Sequence, residues 1–151
     1  MSSPKRDACL CKANLSESDL HDADLEGADL GEVNLRDADL SGANVSHAQL
    51  GQADLTHAYL QGVNLRNSDL EKANLEGVNL DRADLREAYL EGTYLFEASL
   101  QGANLARAIL TRADLSSANL CDALIEAAEL TRAYLHGTNL AGAHLRAADL
   151  A

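Results

Sequence analysis

Leucine recurs along this chain with a period of five. From Leu10 to Leu150 every residue number divisible by five is Leu, except Val45 and Ile125, giving 29 positions with no slip in phase. Two residues earlier, from Ala8 to Ala148, Ala fills 22 of 29 positions. The other seven, Ser18, Val33, Val63, Ser68, Val78, Thr93 and Thr138, are all small. Immediately before the Leu, 18 of 29 positions are Asp or Asn, so the unit reads Ala-Asp/Asn-Leu-x-x. Apart from Lys5, no Asp, Glu, Lys or Arg enters the Leu or Ala register. The repeat begins near Ala8, which divides the chain into a short N-terminal tail, 1–7, and a repeat domain, 8–151.

A period of five fits neither regular element. On a helix five residues turn through about 500°, so successive Leu would wander around the axis and leave no apolar stripe. In a flat strand the odd spacing would send successive Leu to opposite faces. Both failures vanish if the chain bends once per repeat. Ala and Leu then point to one side of a short extended segment, and the Asp/Asn between them points to the other. The corner falls in the remaining pair, where eight of the ten Gly sit two residues after the Leu. That register is the one expected to need an unusual backbone angle. The object predicted is an all-β solenoid whose backbone hydrogen bonds run between successive coils, with Leu and Ala stacked inside.

This motif resembles that of the pentapeptide repeat family, A(D/N)LXX, over residues 8 to 151 without interruption. The resemblance implies a right-handed quadrilateral β-helix with four repeats per coil. Twenty-nine units then make about seven coils, roughly 35 Å long at a strand spacing of ~4.8 Å. No capping helix is evident, and both terminal coils would expose apolar ends and unpaired edges. A homo-oligomer formed through coil ends or an apolar patch is therefore expected. Among the departures from the motif, Tyr59, Tyr89, Tyr94, Ile109, Leu124 and Tyr134 replace the outward Asp or Asn with an apolar side chain.

Composition follows from the pattern. Only 3% of residues are aromatic although 46% are hydrophobic, as a narrow core of uniform width requires. The formal net charge is -12, from 12 Lys plus Arg against 24 Asp plus Glu. That balance argues against direct nucleic-acid binding, which needs clustered cations. No run of 18 apolar residues exists, so no membrane span is expected. The first residues lack an apolar segment of the secretory type, and a cytoplasmic setting is expected.

With 20 residues per coil, charge can be summed side by side. The side centred on Leu15, Leu35 and Leu55 carries -5, with Glu17, Asp37, Asp54, Glu76, Glu97 and Asp114 opposed by Arg36 alone. The next sides carry -4, -1 and -3, so two adjacent sides hold most of the charge. Some members of the resembled family mimic double-stranded DNA and bind type II topoisomerases such as DNA gyrase. B-DNA would present roughly 20 charges over the same length, and this chain has fewer, with Arg scattered among the acids. The primary reading is a non-enzymatic structural scaffold that binds a protein partner; the alternative is a DNA-mimicking modulator of DNA gyrase or a related topoisomerase.

Tyr89, Tyr94, Phe96, Ile109 and Tyr134 form the candidate interaction patch, since Tyr89 and Ile109 are 20 apart and Tyr94 and Phe96 lie just around a corner. The acidic side named above is the second candidate surface. Catalytic signatures are absent: no nucleophile elbow, phosphate loop or dinucleotide fingerprint occurs, and neither a cofactor nor a metal site is expected. His21, His47, His57, His136 and His144 are outward and scattered, without the oriented partner a general base needs. Cys9 and Cys11, separated by inward Leu10, do not have zinc-finger spacing, and Cys121 lies more than five coils away. They read as free thiols, with an intermolecular redox bridge through the first coil as the alternative.

Overall fold

The computed structural model describes residues 9–151; the predicted tail, 1–7, lies outside the described residues. From Cys9 to Glu129 every residue of the Asp/Asn register forms a parallel bridge with the residue 20 positions later, from Cys9 with Asp29 to Glu129 with Asp149. A coil is therefore 20 residues, or four repeats. Each straight segment is too short to carry more than one bridge per repeat. Among the described residues there is no helix, and none therefore long and apolar enough to cross a membrane.

One repeat shows how five amides are satisfied. Leu115 N–H donates to Tyr134 O of the next coil at 2.8 Å, and Ser117 N–H donates to His136 O at 2.8 Å. Asn119 N–H donates back to Ala98 O of the preceding coil at 2.9 Å. Ala118 N–H closes the turn on Leu115 O at 3.0 Å. The fifth amide, Ser116 N–H, points away from both neighbouring coils and is taken by Asp114 Oδ1 at 3.0 Å. This last bond explains the motif's polar residue. An Asp or Asn before the Leu folds its side chain over the amide two residues on, an Asx turn, and the outward placement expected from the pattern is its by-product. All 18 Asp and Asn of the register do this, from Asn14 with Ser16 to Asp149 with Ala151.

The corner falls where the glycines implied, but the demand is wider than they suggested. All 28 residues two after a Leu, from Lys12 to Ala147, have positive φ: eight glycines at 63–72° and twenty other residues at 54–61°. A left-handed residue at the third turn position is the signature of a type II turn. For a side chain with Cβ it costs on the order of 1 kcal/mol. The inter-coil bond made by that same residue's amide offsets the cost.

Inside, Leu and Ala columns are buried from Ala28 to Leu130, and Leu135, Leu140 and Leu145 are half-buried because fewer coils cover them. Hydroxyls in the Ala register are satisfied by carbonyls: Ser68 Oγ donates to Leu65 O at 2.6 Å and Thr93 Oγ1 to Leu70 O at 3.3 Å. Among the described residues no buried side-chain polar atom lacks a partner.

Asn119→Ala leaves the Cys121 amide without its acceptor and is expected to cost about 1 kcal/mol. Leu115→Ala, by opening a void between coils, is expected to cost about 2–5 kcal/mol. Urea midpoints of the two variants check both the sizes and their order.

Candidate functional site

The 20-residue register sorts the outward side chains into columns along the axis. Tyr89 and Ile109 are bridge partners in one column. They line a shallow depression of about 150 Å³ together with Asp69, Glu71 and Glu91. Tyr94 and Tyr134 stand in the first column of the adjoining side, each bridged to Asp114 between them. Both tyrosines are well exposed, at 56% and 64%. Phe96 lies two residues beyond Tyr94 along the same side and is exposed, but it does not line either depression. The five apolar residues of the candidate patch are thus brought together as two pairs, with Phe96 apart from both.

Around the Tyr94–Tyr134 column runs an open groove of about 540 Å³. Its opposite wall is the last column of the neighbouring side: Lys72, Gly92, Arg112 and Arg132. Gly92 leaves that wall open opposite Tyr94. Lys72 is engaged by Glu71 at 2.5 Å and Arg112 by Glu91 at 3.9 Å. Among the described residues no carboxylate pairs with Arg132. Three cations therefore face two phenol rings, with Asp114 between the rings, along a corner of a strongly acidic protein. Summing charge by side concealed this column, because the acids of the same side cancelled it. The signal was the arithmetic of 72, 112 and 132, which share a register and a side.

The acidic side is less uniform than its total. Asp54 and Asp114 are committed to turns, accepting from the amides of Thr56 and Ser116. In the corner column Glu17 and Asp37 are followed by His57 and Gly77 before Glu97, so carboxylates do not recur at every coil. Glu76 is exposed one residue after its Leu. Arg36 reaches Asp54 at 3.3 Å.

Three carboxyls are held below the usual range. For Asp84 the main cause is the hydrogen-bonded Arg86 guanidinium, whose Nε lies 2.8 Å away, acting against partial burial. Asp54 is pushed up by partial burial, but the Thr56 hydroxyl and amide and Arg36 together outweigh it. Asp39 is lowered by the Ser41 hydroxyl and amide. The five His side chains are all exposed.

At the N-terminal end of the described coils Cys9 and Cys11 lie with their sulfurs 2.9 Å apart, and Cys9 Sγ is 3.9 Å from Asp29 Oδ2. The hydrogen bond with Cys9 raises the Cys11 thiol's pKa above its ordinary value. Asp29 was not singled out from the sequence; only the 20-residue register, 9 to 29, reveals the neighbour.

The family profile for pentapeptide repeats matches in eight copies, over residues 6–37, 18–56, 48–87, 58–95, 88–126 and 128–151. Such proteins fold as right-handed quadrilateral β-helices and are generally non-enzymatic repeat proteins. Among solved structures, the pentapeptide repeat protein Rfr23 from the cyanobacterium Cyanothece 51142 is 40% identical, covering 64% of this chain and 58% of its own, with a TM-score of 0.48. This chain thus spans less than two thirds of Rfr23. HetL, a pentapeptide repeat protein involved in heterocyst differentiation regulation from the cyanobacterium Nostoc sp. strain PCC 7120, is 29% identical over 91% of this chain and 87% of its own, with a TM-score of 0.41. A pentapeptide repeat protein from the Arabidopsis thaliana thylakoid lumen is 20% identical over 79% and 68%, with a TM-score of 0.55, a likeness of fold. No curated protein matches the chain.

The lowered carboxyls contribute to the acid sensitivity of the fold. Their contribution to stability is fully present above the ordinary Asp value of about 3.9 and is lost as pH falls through the lower folded-state values. Asp84→Asn keeps an acceptor for the Arg86 amide but removes one such titration. Urea midpoints followed from pH 7 to pH 2 are expected to fall less steeply at the acid end for this variant.

Proposed function

The chain belongs to the pentapeptide repeat family, and we propose that within it this protein is a non-enzymatic scaffold that binds a carboxylate-rich segment of a protein partner. The observation that carries the reading is the corner groove, where Lys72, Arg112 and Arg132 face Tyr94 and Tyr134. Arg and Tyr dominate binding energy at protein interfaces because they combine broad contact area with directional polar groups. A cationic stripe on a chain of net charge -12 also selects against most acidic surfaces, since only a segment narrow enough to enter the corner avoids the surrounding carboxylates. The groove's walls are borne on a hydrogen-bonded coil, so little ordering entropy is lost when a partner docks.

Topoisomerase modulation by DNA mimicry draws less support. A mimic needs carboxylates at the cadence of phosphates, whereas the acidic side's corner column is interrupted at His57 and Gly77 and Asp54 is paired with Arg36.

Affinity capture from cell extract with immobilised protein separates these readings. A partner is expected to be retained by a Glu17→Gln/Asp37→Asn/Glu97→Gln variant. Arg112→Glu/Arg132→Glu and Tyr94→Ser/Tyr134→Ser should each weaken it by roughly tenfold or more. A captured set indifferent to both groove variants would overturn the proposal. Inhibition of DNA gyrase supercoiling that disappears with the acidic-side variant would put mimicry in its place.

A further inference from the structure

We propose that Cys9, Cys11 and Asp29 form a binding site for a thiophilic divalent metal ion, with Zn2+ as the ion whose chemistry fits best. The two cysteines flank inward Leu10, so both thiols emerge on the same outer side, and their sulfurs stand 2.9 Å apart. The coil register bridges Cys9 with Asp29 and sets the carboxylate beside them, with Oδ2 at 3.9 Å from Cys9 Sγ. One donor atom from each of the three residues lies within 4.8 Å of the other two.

The sulfur–oxygen separation is close to what a tetrahedral ion requires, and the sulfur–sulfur separation is shorter than it. Zn–S bonds of about 2.3 Å and a Zn–O bond of about 2.1 Å place ligating sulfurs about 3.8 Å apart and sulfur and oxygen about 3.6 Å apart. The site reaches that arrangement by parting the sulfurs about 1 Å, a movement available to exposed side chains. The carboxylate is already oriented, because Asp29 Oδ1 accepts the Gly31 amide at 3.2 Å and leaves Oδ2 facing the sulfurs.

A second feature concerns the space above the thiols. Eight of the ten glycines occupy the left-handed turn register; the two that do not are Gly31 and Gly51. Both follow directly after a Leu, and both stand in the column above Cys11. Their φ values are not positive, so the backbone makes no demand for glycine there. A Cβ on Gly31 would project to 3.4 Å from Asp29 Oδ1, toward the carboxylate.

Two thiolates and a carboxylate suit a borderline-soft ion and leave a fourth position for water. Binding releases one proton from each thiol to solvent and joins the first described coil to the next through the metal. The cysteine spacing alone would not form a zinc finger; the third ligand comes from the register rather than from sequence proximity.

The test uses the reduced full chain titrated with Co2+ and then with Zn2+. The expected result is one ion per chain, a thiolate-to-cobalt charge-transfer absorption, and its loss when Zn2+ displaces the cobalt. Cys9→Ser and Cys11→Ser should each abolish the absorption, Asp29→Asn should weaken binding by roughly tenfold or more, and Cys121→Ser should change nothing. Asp29→Asn preserves an acceptor for the Gly31 amide, and circular dichroism confirms that each variant keeps the coil. Absence of the absorption in the parent chain, its persistence in either Cys9→Ser or Cys11→Ser, or unchanged affinity in Asp29→Asn would overturn the site.

Discussion

Everything in this molecule depends on the destination of one amide per repeat. Four of the five backbone N–H groups are satisfied by the coil itself, three across to neighbouring coils and one within the turn. The remaining one, just after the Leu, faces outward at a corner. Supplying it from an Asp or Asn side chain makes the bend self-sufficient, while the next residue is left-handed in every repeat from Lys12 to Ala147. Once the bend repeats every five residues, Leu and Ala have no direction but inward, and the coil follows. At Ser99, where the acceptor is missing, Asp81 of the preceding coil stands in, accepting both the Ser99 hydroxyl at 2.6 Å and the Gln101 amide at 3.0 Å.

The cross-section explains the amino-acid economy. An inward column sees the same space at every level, so one side chain serves throughout, and large rings, useful for irregular gaps, are displaced to the outside. The exposed tyrosines occupy the Asp/Asn register, which means that each aromatic on the surface replaces a turn-closing carboxylate or amide. Tyr89, Tyr94 and Ile109 give up three such acceptors within two successive coils. That local loss of backbone satisfaction, beside the groove, marks the region as one where surface chemistry has been favoured over the repeat.

The architecture was legible because its cause is periodic: bend frequency, inward registers and the position of the corner all follow from residue number modulo five. The 20-residue coil required the family resemblance, since five-residue periodicity alone does not say how many bends close a circuit. Surface chemistry was legible only in part. Tyr89 and Ile109 could be paired by their separation of 20. Phe96 was grouped with Tyr94 because they are near in sequence, whereas the groove draws Tyr94 toward Tyr134 and the cations across the corner. Lys72, Arg112 and Arg132 form a single-column stripe, which a sum of charges over a whole side erases. Asp29 meets the thiols between coils rather than along the chain, so ligand spacing in the sequence does not show it. Likewise, the polar register was read as simply outward, although its side chains close the turns.

A 20-residue coil also has a geometric consequence for how such a surface can change. Loss or gain of one five-residue unit leaves every inward Leu inward and every corner intact, yet it moves all later side chains one side around the axis. Arg132 and Tyr134 would then stand on different walls from Lys72 and Tyr94, and the groove would be dismantled while every inward register is kept. Inward residues meet new partners in the coils that span the change but stay in their registers, and only insertions in multiples of four units preserve the alignment between the two halves of the groove. The core reads the chain in fives and the surface reads it in twenties, so the fold can be robust to changes in length that erase what is written on its exterior.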